Sequence, residues 1–362
     1  MATPPITRSS AIRDPQSLAD AGLISPEARR DVEQVAARYA VSVTPTVHSL
    51  INTRDPADPI ARQFIPTTAE LSEAPNEDPD PIGDDRFSPV SGIVHRYPDR
   101  VLLKLLHTCP VYCRYCFRRE RVGNAEKPLS EEDIAAAVQY VRDRSEIWEV
   151  ILTGGDPFIL SPRRLRDAVR ALGDIDHLGV IRVHTRVPIV DPERIDAALL
   201  DAMRTDKAVY VVIHCNHARE LSPPALKAIR RIIDSGIPVL SQSVLLKGVN
   251  DDPATLEALF RALVRNRVKP YYLHHPDRAP GTRHFRASLK RGRALVDSLR
   301  GNVSGLCQPT YVLDIPGGHG KVPVAAERAV ETESGRYLVR DSRGCVHDYQ
   351  DELDDGQRFA TE

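Results

Sequence analysis

Short runs of β-branched and leucine residues alternate along the chain with longer stretches whose apolar positions recur every three to four residues. That alternation is the signature of consecutive strand–helix units and a parallel sheet. The strand candidates are Val101–Leu106, Val150–Thr153, Val180–His184, Val209–His214, Val239–Val244 and Tyr271–His274. The helical patterns are Glu131–Arg144, Pro162–Leu172, Pro192–Arg204, Pro223–Ser235, Pro253–Arg265 and Ser288–Leu299. Ser161-Pro162, Asp191-Pro192 and Asp252-Pro253 supply good helix starts, because proline just inside a capping side chain lacks only an N–H that would be unpaired anyway. Six such units predict an α/β fold, a partial (β/α)6 TIM-like barrel over residues 91–321. A helical pattern over residues 10–39 and a Pro- and Asp-rich stretch over 74–89 make residues 1–90 an N-terminal region with a linker. Residues 322–362 are strand-like and charged, a C-terminal extension. No sequence repeat on the order of 20–50 residues accompanies the alternation, which excludes a solenoid.

Composition narrows the partners. Lys+Arg number 49 against Asp+Glu 50, a net charge of -1, so no general basic field exists to hold nucleic acid or an anionic membrane. A small-molecule substrate is expected. The first residues have neither a basic region nor an apolar run, and no segment approaches the roughly 20 apolar residues of a membrane span. Three of the six cysteines crowd into eight residues, which suits a reduced, cytoplasmic protein better than a disulfide framework.

Those three, Cys109-x-x-x-Cys113-x-x-Cys116, follow the first predicted strand, at the barrel end where active sites are built. Three thiolates can hold three irons of a cubane cluster and leave the fourth iron open for chemistry. Zinc is the alternative, but such sites want a second C-x-x-C pair and the chain has none. Cys215, Cys307 and Cys345 are isolated. One unit later Thr153-Gly154-Gly155-Asp156-Pro157 ends a strand: two glycines admit close backbone approach, and the acid can receive an ammonium group. Alone, that segment reads equally as an ordinary turn.

Asp314-Ile-Pro-Gly-Gly-His-Gly-Lys321 presents a lysine after a glycine run, as an aldehyde cofactor such as pyridoxal phosphate would require. It is not a phosphate-binding P-loop, since Ile315 and Val322 stand where that motif needs Gly and Ser or Thr. A solvated lysine on a turn is the plain alternative. His95-Arg96-Tyr97-Pro98-Asp99-Arg100 gathers two arginines and a tyrosine suited to a phosphate. Arg118 and Arg119 follow the third cysteine, where a cation can clamp a substrate carboxylate. Asp277 and Asp314, if both face the pocket, form a receptacle for a distant ammonium.

Together these motifs resemble the lysine 2,3-aminomutase family, over about Asp80 to Tyr349. Ser88–Arg100, the cysteine triplet, Thr153–Pro157, His214-Cys-Asn-His217, Asn250-Asp-Asp252 and Ser304–Pro323 carry the likeness. The resemblance implies a radical enzyme with a [4Fe-4S] cluster on Cys109, Cys113 and Cys116, S-adenosylmethionine and pyridoxal phosphate. A 5'-deoxyadenosyl radical would take hydrogen from Cβ of L-lysine, and the amino group would move from Cα to Cβ. The resemblance assigns Lys321 to the pyridoxal Schiff base, Arg96, Tyr97 and Arg100 to its phosphate and ring, and Arg118 to the substrate carboxylate. Asp277 and Asp314 would receive the lysine side-chain ammonium, a pair that glutamate-directed relatives do not keep. Tyr115, Gly154, Gly155, Asp156, His214 and Gln242 would line the S-adenosylmethionine site. A cellular reductant such as flavodoxin or ferredoxin is implied, as is a homo-oligomer. Cys345 stands alone and position 252 is Asp, so the zinc-bridged dimer of some members is not expected. A branch that makes (R)-β-lysine for elongation factor P is the alternative within the family, and an aminomutase for another amino acid is a second.

Overall fold

The strands are β1 (Ile93–Tyr97), β2 (Arg100–Leu106), β3 (Glu149–Gly154), β4 (Val180–Thr185), β5 (Ala208–His214), β6 (Val239–Val244), β7 (Lys269–His274), β8 (Thr310–Asp314), β9 (Lys321–Pro323), β10 (Ala329–Glu333), β11 (Arg336–Arg340) and β12 (Val346–Gln350). They belong to a computed structural model that describes residues 10–72, 74–123, 128–341 and 343–352. The leader reading of Met1–Pro5 and the outer ends of the two terminal regions lie outside those residues.

The first nine strands form one curled sheet in sequence order. β2 through β8 run parallel, while β1 and β9 close its two edges antiparallel. The six predicted strands are β2 to β7. The sheet is larger than the expected six by a seventh parallel strand, β8, and by the two edges. β1, β8 and β9 are three to five residues long, too short for a periodic signal. β10, β11 and β12 form a separate antiparallel sheet with Val330, Leu338, Val346 and Tyr349 exposed.

Five predicted helices stand where the pattern puts them: Glu131–Arg142, Pro162–Gly173, Pro223–Asp234, Pro253–Arg265 and Leu289–Leu299. Pro162–Gly173 shows why. Ser161 caps it by accepting from Arg164 N, and Leu165, Ala168, Val169 and Leu172 recur at helical spacing on its buried side. Each such leucine contributes about 1.5–3 kcal/mol by leaving water. The sixth pattern, Pro192–Arg204, is broken. Asp191 makes no capping bond, Pro192–Arg194 is a single 3-10 turn, and Asp196 starts a new helix, Ala197–Asp201, by accepting from Leu199 N at 2.8 Å.

Strand register sorts the barrel's two faces. Leu103, Leu152, Val183 and Val211 align across β2 to β5 and belong to the main core beneath the helices. The opposite, inner face carries Lys104 beside Thr153, His184 beside Val212, His214 beside Gln242, Gln242 beside Tyr272, and Asp314 beside Lys321. Polar groups therefore line the lumen. The N-terminal region joins the main core through Leu18, Val32, Val47, Ile60 and Phe64. Among the described residues no helix is long and apolar enough to cross a membrane.

Candidate active site

β2 delivers the chain into the loop that carries Cys109, Cys113 and Cys116, all free thiols. Cys116 N donates to Cys113 O at 3.0 Å. Burial pushes the Cys116 thiol up to about 11 and the neighbouring Cys113 adds to the rise. Cys109 is raised well above its ordinary value by burial, by Asp156 and by the other two thiols. Thiols that raise one another lie close together, and a bound cation is what lets them ionise. Among the described residues no three His, Cys, Asp or Glu side chains converge on a single ion. A cubane does not require that, because each thiolate bonds a different iron.

The N-terminal region holds this loop. Ser42 Oγ donates to Pro110 O at 2.7 Å, and Arg114 N donates to Gln63 O at 2.8 Å. Buried Glu70 accepts from Arg114 Nε at 3.0 Å through both oxygens and from Arg114 Nη2 at 2.5 Å, and it also pairs with Arg119. Arg186 reaches the loop from the end of β4. Its Nη1 donates to Cys113 Sγ at 2.8 Å and to the Tyr115 hydroxyl, while Nη2 is held by Gln63 Oε1 at 2.8 Å and Glu220 Oε2 at 2.6 Å.

The Gly-Gly-Asp turn packs directly on the same loop. Gly155 N donates to Leu106 O at 2.6 Å, Asp156 N donates to Thr108 O at 2.9 Å, and a Cβ on Gly155 would overlap the Thr108 backbone. The carboxylate of Asp156 is not free for an ammonium group. Buried, it accepts from Thr185 Oγ1 at 2.7 Å, Arg186 N at 2.6 Å, Phe158 N at 3.1 Å and Val187 N at 3.2 Å. Its geometry is that of a brace between β3 and β4. Across the lumen the Tyr115 hydroxyl meets His214 Nε2 at 2.9 Å, with the rings stacked at 5.7 Å. Burial and the Arg186 charge push His214 well below the usual imidazole range, so it is neutral. Leu246, Val249 and Phe285, with Val244 and Tyr115, make a small apolar cluster apart from the main core.

The other side of the lumen is the β8–β9 hairpin. Gly317, Gly318 and Gly320 all take positive φ in its turn, a region that other residues enter at a cost. Ile315 N closes the turn on Gly320 O at 2.8 Å, which sets Lys321 opposite Asp314. Lys321 is not loose on this turn: Nζ pairs with Asp314 Oδ2, lies 3.5 Å from His274 Nδ1, and sits 5.7 Å from the Tyr272 ring centre. Its backbone N donates to the Tyr97 hydroxyl at 2.7 Å, which joins the two edges of the curled sheet. Burial works to raise the Asp314 carboxyl, but the His274 bond and the Lys321 charge outweigh it and hold it well below the usual range. Asp277 behaves oppositely. Burial and the Asp314 charge push it up to about 7, and no hydrogen bond or ion pair to it is formed by the described residues.

Arg96 and Arg118 both reach Asp84, with Arg118 Nη2 at 3.0 Å from Oδ2 and Arg96 Nη2 at 3.2 Å from Oδ1. Arg100 pairs with Asp99 at 2.5 Å and covers the Tyr97 ring at 3.9 Å. Among the described residues Arg96 Nε, His184 Nε2 and His274 Nε2 are buried polar atoms near this lumen without a hydrogen-bond partner. Buried polar atoms are seldom left so, and their presence suits a phosphorylated, heteroatom-rich cofactor in the lumen.

The radical SAM superfamily model matches residues 103–259, and a lysine-2,3-aminomutase model matches residues 296–359. The L-lysine 2,3-aminomutase of Acetoanaerobium sticklandii is 36% identical over 328 residues, 91% of this chain and 79% of that protein. That of Clostridium subterminale is also 36% identical, over 330 residues. The glutamate 2,3-aminomutase of Clostridioides difficile is 32% identical over 95% of this chain and 81% of its own length. The chain belongs to the lysine 2,3-aminomutase family of radical SAM enzymes.

In this aminomutase-family chain the motif residues fall on one lumen. The triplet and Tyr115 lie at β2, Gly154 and Gly155 at β3, His214 and Gln242 at β5 and β6, and Lys321 with Asp314 at the closing hairpin. Sequence reasoning missed Gln63, Glu70, Asp84, Lys104, His184, Arg186, Glu220 and His274. Lys104 had a signal, a charged residue inside the apolar run Val101–Leu106. Glu70 had none, and Asp84, just before the Ser88–Arg100 motif, is one of several acids in the Pro- and Asp-rich stretch over 74–89 that nothing in the pattern sets apart.

Proposed function

We propose that the protein is an L-lysine 2,3-aminomutase that shifts the amino group of lysine between Cα and Cβ, with pyridoxal phosphate on Lys321. The observation that carries the substrate is the acidic pair. Asp277 and Asp314 interact electrostatically in the lumen that holds Lys321, and an acidic receptacle suits an ammonium end and repels a second carboxylate. Lys321 holds Asp314 in the resting arrangement, so withdrawing the lysine charge releases that carboxylate for a substrate ammonium.

Arg96, Tyr97 and Arg100 would hold the phosphate and ring of the cofactor, a reading supported by the Arg100 guanidinium that covers the Tyr97 ring. Bound there, pyridoxal phosphate supplies a π-system over which an unpaired electron can spread while nitrogen moves between adjacent carbons. Arg118 receives the substrate carboxylate. The cluster on Cys109, Cys113 and Cys116 and S-adenosylmethionine supply the hydrogen-abstracting radical. Gly154 and Gly155 admit the methionine part, with Asp156 as the brace behind them, and Tyr115, His214 and Gln242 flank the adenosyl part. Neutral His214 can accept or donate there without adding charge. The proposal includes a flavodoxin- or ferredoxin-type reductant, a homo-oligomer, a cytoplasmic location and a catalytic body over 91–321 flanked by 1–90 and 322–362.

The reduced, reconstituted protein is incubated with S-adenosylmethionine, pyridoxal phosphate and L-lysine, and the products are resolved on a chiral phase, which also reads the hand required by elongation factor P. β-Lysine is the expected product. Turnover of glutamate or another amino acid in its place would sink the substrate. Lys321→Ala is expected to abolish turnover, and full activity in that variant would sink the Schiff-base role.

A further inference from the structure

Asp84 lies in the segment before β1 and is buried. Its Oδ2 accepts from Arg118 Nε at 3.1 Å and Nη2 at 3.0 Å, its Oδ1 accepts from Arg96 Nη2 at 3.2 Å, and Lys104 Nζ stands 3.8 Å from Oδ2. The backbone is fixed on both sides: Asp84 N donates to Asp80 Oδ1 at 2.8 Å, and Asp84 O accepts from Ser88 Oγ at 2.7 Å. Gly83, just before it, lies against the Gly317 backbone, and Gly317 N donates to Pro81 O at 3.3 Å. The segment therefore touches the turn that carries Lys321.

One carboxylate among three cations leaves the group with net positive charge, which suits the anionic groups of a ligand. The bonds also leave room for them. Arg118 gives Nε and Nη2 to Asp84 and keeps Nη1, while Arg96 gives Nη2 and keeps a buried, unpartnered Nε. We propose that Asp84 is a positioning residue that braces Arg118 and Arg96 at fixed spacing, so that a substrate carboxylate and the cofactor phosphate are received in register with Lys321. This rests on the function proposed above. Held from one side by Asp84, each guanidinium can turn only its remaining donors toward a ligand, and that lowers the ordering cost of binding. Burial works to raise the Asp84 carboxyl, yet the surrounding cations hold it below the usual range, so the brace stays charged.

Asp84→Asn keeps the shape and removes the charge. The expected result in the reconstituted enzyme is a lysine KM raised about tenfold, kcat within about threefold of wild type, and pyridoxal phosphate bound several-fold more weakly, with iron content unchanged. In an Arg118→Ala background the same change should alter KM by less than about twofold, because a residue that acts through Arg118 has nothing left to act on. Asp85→Asn, at an exposed position paired with Arg121, should change none of these. A wild-type KM in Asp84→Asn overturns the brace, and so does a full KM penalty that persists without Arg118. Should Asp84→Asn fail to load iron, Asp84→Glu decides: an iron-replete protein with raised KM supports the brace and an unchanged KM overturns it. Cofactor binding is read by pyridoxal absorbance without lysine. A wild type that binds no pyridoxal phosphate or makes no β-lysine sinks the proposed function, whereas a wild type that does both beside insensitive Asp84 variants sinks the brace alone.

Discussion

The cluster loop and the Lys321 pocket are both built from arginines and carboxylates, yet they satisfy them in opposite ways. Around the loop the buried ionic groups are paired among the described residues, although Nε of Arg119 and of Arg186 has no hydrogen-bond partner there: Glu70 holds Arg114 and Arg119, and Glu220 holds Arg186. Across the lumen, among the described residues, Asp277 has no ion pair, and His184 and His274 each keep an unpartnered Nε2. Paired charges fix geometry, and a buried carboxyl without a counter-charge awaits one. The first region has the character of a holder, and the second is the receptor of the proposed function. Removing charge should therefore damage the first and spare the fold of the second.

The largest effect is expected at Glu70. Glu70→Ala strands two guanidinium groups in the interior, and breaking a buried pair in this way costs about 3–5 kcal/mol. Urea unfolding of the iron-free protein reads the loss, and iron content after reconstitution should fall with it. Burial works to raise the Glu70 carboxyl, but Arg114 and Arg119 hold it below the usual range. Its contribution is therefore present above the ordinary glutamate value and is lost as pH falls through the lower folded value. A Glu70→Ala protein as stable as wild type would break the comparison.

A smaller effect belongs to the receptor side. Asp277 must be ionised to hold an ammonium, and its carboxyl is pushed up to about 7. The KM for lysine should then rise by about tenfold per pH unit below that point and level off above it. Asp277→Asn should weaken lysine binding and flatten this limb. Steady-state kinetics between about pH 6 and 8 measure both, and a limb that survives in the variant would assign the titration elsewhere.

The holder and the receptor were legible in the sequence to different degrees. Cys109, Cys113, Cys116 and Lys321 stand out because the chemistry proposed for them depends on local spacing, and the barrel strands because their apolar runs are continuous. Glu70, Gln63 and Asp84 were silent. Each is an ordinary acid or amide in a polar N-terminal stretch, and its meaning comes only from tertiary contact, of Glu70 and Gln63 with the cluster loop and of Asp84 with Arg96 and Arg118. The packing of Asp156 was hidden for the same reason: the turn was visible, but the donors on its carboxylate are Phe158 beside it and Thr185, Arg186 and Val187 at and after the end of β4. The break in Pro192–Arg204 was readable in principle, since Asp196 is a second cap inside the pattern. His184 and His274 were included in strand candidates, but period alone did not say that they face the lumen.

The smallest effect is also the sharpest contrast with Glu70. Asp277 is a carboxyl raised from an ordinary 3.8 to about 7. Such a group opposes folding wherever the native state must carry it ionised. The cost is absent below the ordinary value, grows as pH rises toward the folded one, and is fully present above it. Asp277→Asn removes that cost, so the iron-free variant should be more stable than wild type at pH 8 by on the order of 1 kcal/mol. The gain should shrink steadily as the pH is lowered toward the ordinary aspartate range. Paired urea titrations of wild type and variant across that range decide the matter. A variant that is less stable at pH 8 would mean that Asp277 is already paired in the folded protein, and the receptor would then be a second holder.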